Sequence, residues 1–164
     1  MKTMKRGFLL ALLACAAFGL TATSHAYVNV KDFTESEEFA DQKDDTAAIR
    51  AAFEESGKTR VHAVLFPPGT YYVSDTIDVA TAGEIVGHGY PKIIMRDTEK
   101  DIFYDDGTWR KTIRGLQFRG GRDQIALGNK NVDQGFLMVT DCRFFHSTGA
   151  AIRFLGGPGY EGKT

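Results

Sequence analysis

Few residues in this sequence have the types and spacing that chemistry needs. Asp105 and Asp106 form a carboxylate pair, an arrangement that can serve an active site or a calcium site. They stand before Gly107 and Trp109, and Asp-Asp-Gly is also turn chemistry, so a surface turn is the preferred reading. Asp141, Arg143 and His146 place a carboxylate, a guanidinium and an imidazole close together in the chain. Alternation puts Cys142 and Phe144 inward, so these three face outward on a half-solvated strand, where polar residues are the default. Trp109 could stack on a sugar ring, although a packed or partly exposed aromatic is the commoner role. His88, within Gly87-His88-Gly89-Tyr90, reads as a turn residue. Nothing beside Cys142 in the sequence activates its thiol, so an inert core cysteine is preferred over a reactive one.

Two further patterns set limits. No H-x-x-x-H, C-x-x-C or calcium-loop pattern occurs, so a dedicated metal site is unsupported. Gly157 to Thr164, GPGYEGKT, satisfies G-x-x-x-x-G-K-[ST] in full. A phosphate loop also needs a helix whose amino terminus faces the phosphates, and no helical pattern follows Thr164, so nucleotide binding is not expected. No catalytic residue can be assigned from these patterns, and whether the chain is an enzyme stays open.

The elements that must carry these residues begin after residue 26. Lys2, Lys5 and Arg6 precede an apolar run from Phe8 to Leu20, and small residues at Ser24 and Ala26 follow. This is the three-part pattern of a signal peptide covering residues 1–26, with cleavage expected after Ala26 and a secreted or periplasmic destination. The apolar run is too short for a comfortable membrane span, which needs about 20 residues. The rest, 27–164, then carries 17 Lys and Arg against 21 Asp and Glu, a net charge of −4 with no basic block. Nucleic acid is therefore not an expected partner, nor is a membrane after cleavage. Cys142 remains as the only cysteine, so no internal disulfide can form.

One helix is expected. Asp44, Asp45 or Thr46 can cap it, Ala47, Ala48, Ala51 and Ala52 favour it, Ile49 and Phe53 share a face, and Gly57 should end it. Tyr27–Phe33 reads as a short strand and Thr34–Lys43 as an exposed acidic loop. Everything later reads as short strands: Val61–Phe66, Thr70–Ser74, Thr76–Val79, Glu84–Val86, Lys92–Met95, Asp101–Tyr104, Thr112–Phe118, Gln124–Leu127, Phe136–Phe144 and Ala150–Leu155. No helices alternate with them, which disfavours a doubly wound α/β fold.

The strands repeat. Ile113, Leu116 and Phe118 recur 26 residues later as Val139, Cys142 and Phe144, Ile125 recurs 27 later as Ile152, and a weaker copy begins at Ile85. Such self-similarity predicts a solenoid whose coils bury their apolar sides against one another. A leucine-rich repeat would also start as Ile-x-x-Leu-x-Phe, but it needs Asn or Cys where Gly121 and Ser147 stand, so a leucine-rich binding module is the weaker alternative.

Three segments in order carry a resemblance: NVKDF (29–33), DDTAAIRAAFE (44–54) and VLFPPGTYYVSDTIDV (64–79). This order resembles the amino-terminal part of the pectate lyase superfamily of right-handed parallel β-helices, in its rhamnogalacturonase- and epimerase-like branch, over about residues 28–155. The acidic loop 34–43 stands where the family has a glycine-rich turn. The resemblance implies an all-β right-handed parallel β-helix with an amino-terminal capping helix. Its last strand would leave an exposed edge with no closing cap after Leu155, so 27–164 is expected to be the cap and first two to three coils of a longer protein. It implies action on, or binding of, polysaccharides of the pectin or other uronic-acid type, by lyase or glycosidase chemistry, with Ca²⁺ implied only in this way and no other cofactor evident. Asp141, Arg143 and His146 could then reach a sugar acid. A non-enzymatic carbohydrate-binding or structural β-helix is the alternative, and an oligomer remains open.

Overall fold

A computed structural model describes residues 27–33, 43–59, 61–107, 109–128 and 136–156. Residues 1–26, where the signal peptide is expected, most of the acidic loop and residues 157–164, with the phosphate-loop pattern, lie outside the described residues.

 The described residues form a staircase of short parallel strands. β1 (Val28–Asn29), β2 (Ala63–Phe66), β5 (Glu84–Gly87), β8 (Arg110–Arg114) and β11 (Phe136–Thr140) make the first sheet, in that order. β3 (Thr70–Val73), β6 (Lys92–Met95), β9 (Gln117–Gly120) and β12 (Arg143–Phe145) make the second. β4 (Ile77–Asp78), β7 (Phe103–Asp105), β10 (Ile125–Gly128) and β13 (Ile152–Leu155) make the third. The chain visits the three sheets in turn, so β2, β5, β8 and β11 mark three full turns of a β-solenoid. This is the expected all-β parallel architecture. Among the described residues there is one α-helix, α1 (Thr46–Lys58), outside the coils, and each turn is made of three strands, which sets aside the leucine-rich alternative.

The repeat seen in the sequence is the stacking register. Ile85 lies on Ile113 and Ile113 on Val139, Phe118 on Phe144, and Ile125 on Ile152. Each tier thus presents an inward apolar residue to the tiers beside it, at the parallel-strand spacing of about 4.8 Å. An aromatic column runs through the interior. Phe53 of α1 meets Phe103 edge-on with centroids 6.0 Å apart, Phe103 meets Phe118 at 5.3 Å, and Phe118 stacks on Phe144 at 5.5 Å. Fully burying a side chain of this size contributes roughly 1.5–3 kcal/mol.

The helix closes one end, as expected: Ile49, Ala52 and Phe53 are buried against the first tier. Asp45 stands at the N-cap but turns its carboxylate to the Tyr72 N–H at 2.9 Å, and Asp44, another of the expected caps, accepts the Thr46 backbone N–H on its Oδ1 at 3.0 Å. One detail differs from expectation. Gly57 does not end the helix, which runs to Lys58. A Cβ at Gly57 would stand 2.9 Å from Thr81 Cγ2, so a larger residue there would have to displace the Thr81 side chain.

Three expected strands are shorter or divided. Tyr27–Phe33 is a strand only at Val28–Asn29 and then winds into a 3-10 helix, Val30–Phe33, because Asn29 Oδ1 captures the Lys31 N–H at 2.9 Å. Thr112–Phe118 and Phe136–Phe144 are each broken by a corner between the first and second sheets. Gly115 makes one with φ +71°, and Asp141, one tier further, makes the other with φ 54°. A single left-handed residue turns the strand direction, and alternation alone gives no sign of it.

In the first tier the same corner is built by Pro67-Pro68-Gly69 between β2 and β3. The buried Tyr71 donates its hydroxyl to the Pro67 carbonyl at 2.9 Å and meets Phe66 edge-on at 5.4 Å. Exposed large apolar side chains gather on the last tier, at Phe136, Met138, Phe145, Ile152 and Phe154. Among the described residues no helix is long and apolar enough to cross a membrane.

Candidate functional site

Strand alternation sends every second residue of the second sheet outward. Register then stacks these into two rows along the solenoid. Thr70, Lys92, Gln117 and Arg143 form the row nearer the first sheet. Tyr72, Ile94, Arg119 and Phe145 form the other. Between them lies a shallow groove of about 310 Å³, floored in part by Phe118.

The groove is cationic and aromatic. Lys92, Arg119 and Arg143 are exposed, and among the described residues none of the three has a carboxylate within ion-pair distance. The Arg143 guanidinium sits 4.4 Å from the centre of the Tyr90 ring, and the Arg96 guanidinium 4.8 Å from that of Tyr72. Tyr90 donates its hydroxyl to Asp141 Oδ1 at 2.6 Å, and Gln117 Nε2 donates to the Tyr90 carbonyl at 3.0 Å. The bond to Asp141 raises the Tyr90 hydroxyl above the ordinary phenol range. Tyr90 and Asp141 both hold left-handed backbone, φ 56° and 54°. Such conformations are uncommon away from glycine, and the cross-tier bond helps to fix them.

The residues singled out from the sequence are distributed unevenly. Asp141 and Arg143 face outward as expected and meet at Tyr90. His146, also exposed and left-handed at φ 58°, follows β12. His88 is an exposed bend residue whose backbone N–H binds the Phe66 carbonyl. Trp109 is 63% exposed, at the start of β8 and away from the groove. Cys142 is half-buried against the core, where burial pushes its thiol up and keeps it an inert hydrophobe.

Asp105 corrects the surface-turn reading. It ends β7 inside the solenoid, 4% exposed, and accepts a hydrogen bond from Lys111 Nζ at 2.9 Å. Lys111, equally buried, also donates to the Val79 carbonyl. Burial pushes the Lys111 ammonium below its ordinary value, with Asp105 acting against that shift. Only Asp106 is exposed, accepting the Tyr104 hydroxyl at 3.1 Å. The two carboxylates therefore do not act as a pair.

A calcium ion does not fit the acids present. It needs several free oxygens converging on one point, but Asp105 holds Lys111, Asp101 holds Arg122 at 2.8 Å, and Asp123 holds Arg153 at 2.9 Å. Among the described residues no three His, Cys, Asp or Glu side chains gather as metal ligands do.

Lys92, Arg119, Tyr72 and Tyr90 were not recognisable as a site in the sequence. The repeat gave no usable signal: carried back from Gln117 by 26 residues it reaches Pro91, and by the 28 residues that separate Ile113 from Ile85 it reaches Gly89, whereas the register pairs Gln117 with Lys92.

Residues 27–104 match the family described as Rhamnogalacturonase A/epimerase, pectate lyase-like. The match spans the cap and the first two tiers, and the later tiers continue the same register. This match and the three turns of parallel solenoid fit a pectate-lyase-like β-helix. No curated protein and no solved structure matched the chain. The family places this β-helix broadly among carbohydrate-related folds, and the match extends over no part of β8 to β13.

Proposed function

We propose that this pectate-lyase-like β-helix is exported and binds acidic polysaccharides of the uronic-acid type along the outer face of its second sheet. The observation that carries this reading is the pair of cations Lys92 and Arg119 in the groove, interleaved with Tyr72 and Phe145, with Arg143 continuing the Lys92 row beside it and none of the three paired with a carboxylate among the described residues. Carboxylated sugars would satisfy the cations, and their ring faces would lie on the aromatics. The groove supports binding rather than cleavage. Glycoside hydrolysis uses two carboxylates about 5–9.5 Å apart, and no acid is among the side chains lining the groove. Asp141, at its edge, is already engaged by Tyr90. The cationic surface is local, since the segment after residue 26 is net acidic, which favours short-range binding that weakens with salt.

Calorimetric titration at low ionic strength tests this. Unesterified polygalacturonate should bind, and its fully methyl-esterified form should not. Equal binding of the neutral ester would overturn the electrostatic reading.

A further inference from the structure

The two ends of the solenoid are finished differently. In the first tier each strand edge is covered: β1 lies on β2, Asp44 bridges to Tyr72 of β3, and α1 packs against β4. In the fourth tier β11, β12 and β13 pair, among the described residues, only with the tier before them. Their inward side chains Leu137, Val139, Phe144, Ile152 and Phe154 continue the columns of the core but stay in contact with solvent, Phe154 at 54%. One tier back, Ile113, Phe118, Ile125 and Leu127 in the same columns are wholly buried. This end is therefore an apolar floor bounded by three strand edges, each with a row of outer N–H and C=O groups and no strand beside it among the described residues.

One added strand would satisfy one edge and leave the floor open. Covering all of it takes three edges set around a matching floor, and the same end of a second copy has that outline. The opposite end is closed by α1, so copies cannot stack head to tail into a fibre. We propose that two copies of this 164-residue chain associate through their fourth tiers, about a two-fold axis perpendicular to the solenoid axis. Neighbouring tiers lie 26 residues apart along the chain, as Arg110 and Phe136 do. A turn of that length, at about 3.3 Å per residue, encloses roughly 350–600 Å². Two such ends bury about 1,000 Å² together, the size at which a specific but weak interface begins. The two-fold reverses strand direction, so the edges pair antiparallel. β11 is the longest of the three and carries exposed apolar residues on its outer side too, Phe136 and Met138. Laid across the axis, it pairs with its own copy, Met138 opposite Met138 and Leu137 opposite Val139. β12, of three residues, then meets the other copy's β13, of four. Phe144 facing Phe154 brings Arg143 against Leu155 and Phe145 against Arg153. Phe144 facing Ile152 would instead set Arg143 against Arg153, a like-charge pair that disfavours that register.

Analytical sedimentation of the full chain tests this. The protein should pass from monomer to dimer as its concentration rises, and to nothing larger. Phe154→Glu, at an exposed position, sets a charge in the floor and should weaken association about tenfold or more, with circular dichroism checking that the coils persist. In a Cys142→Ala background, Met138→Cys should form a disulfide between copies on air oxidation, because opposed residues of an antiparallel pair lie within disulfide range. Thr112→Cys, one tier back in the same column, should not. These two cysteine variants decide the matter should Phe154→Glu unfold. A monomer at every concentration would overturn the proposal, as would growth into larger assemblies or a dimer that tolerates Phe154→Glu. A Met138→Cys chain that stays uncross-linked, or one that cross-links no better than Thr112→Cys, would overturn the edge-to-edge register.

Discussion

The two sides of this solenoid treat charge in opposite ways. Around the third sheet and the turns leading into it, charges are matched within the protein. Lys111 is buried with Asp105, Arg122 grips Asp101 through two nitrogens, and Arg153 reaches Asp123. On the outer face of the second sheet, Lys92, Arg119 and Arg143 stay exposed without a carboxylate partner among the described residues. The first arrangement fastens tiers together: Asp123 accepts the Ala150 N–H of the next turn, and Asp101 accepts the Asp123 N–H. The second fastens nothing and leaves a surface that an external anion can complete. Charge serves architecture on one side and recognition on the other.

The strongest way to break this contrast is at the buried pair. Lys111→Ala leaves the Asp105 carboxylate buried without its partner, and should cost about 3–5 kcal/mol of unfolding free energy in urea titration. Replacing both residues with apolar ones of similar volume should recover most of that loss. A Lys111→Ala variant as stable as the parent would show that the interior admits water there.

Asp123→Ala removes the acceptor for Ala150 N–H and the partner of Arg153, and should cost about 1–3 kcal/mol by the same measurement. Polyuronate affinity should not change, which separates the two regions.

Acid should act next. Hydrogen bonds from Arg50 and then Lys100 hold the Asp75 carboxyl down at about 2, below its ordinary 3.8. Burial opposes ionisation of Asp123, but the Ala150 N–H and the Arg153 guanidinium outweigh it and keep that carboxyl below its ordinary value as well. A depressed carboxylate stabilises the fold above its unfolded value and loses that contribution as pH falls through its folded one. Stability should therefore decline from about pH 3.8 downward, with the Asp75 part fading toward pH 2. Asp75→Asn should flatten part of the decline in a pH series of thermal melts. Because Asp75 is about half exposed, its share is small.

The smallest expected stability change belongs to the groove. Lys92→Ala and Arg119→Ala should alter unfolding free energy by less than about 0.5 kcal/mol, while lowering polyuronate affinity about threefold each. Destabilisation comparable to that of Asp123→Ala would mean that these cations support the fold, and the contrast would fail.

Much of the architecture was legible in advance because stacking leaves a periodic trace. The recurrence of Ile113, Leu116 and Phe118 as Val139, Cys142 and Phe144 is the inward column itself, and Ile49 with Phe53 announced the capping face. The corners at Gly115 and Asp141 were not legible, because one left-handed residue leaves the alternation on either side looking like a continuous strand. Gly57 was misread for a related reason: glycine signals a helix end or a tight contact equally well, and the contact here comes from Thr81, distant in sequence. Of the candidate site, Asp141 and Arg143 were visible through their own strand. Asp105 was misplaced because its partner, Lys111, lies across a turn whose path sequence spacing does not specify.

The amino-acid sequence by itself determined a solenoid, its helix and the stacking period, since these depend on apolar residues recurring at set intervals, and the resemblance of three motifs implied that the solenoid is a parallel β-helix capped by that helix. Only the tertiary structure decided which charges are neutralised and which remain available. Ion pairing depends on a few ångströms between side chains from different coils. That separation is fixed by register and corner geometry, and residue type alone does not contain it.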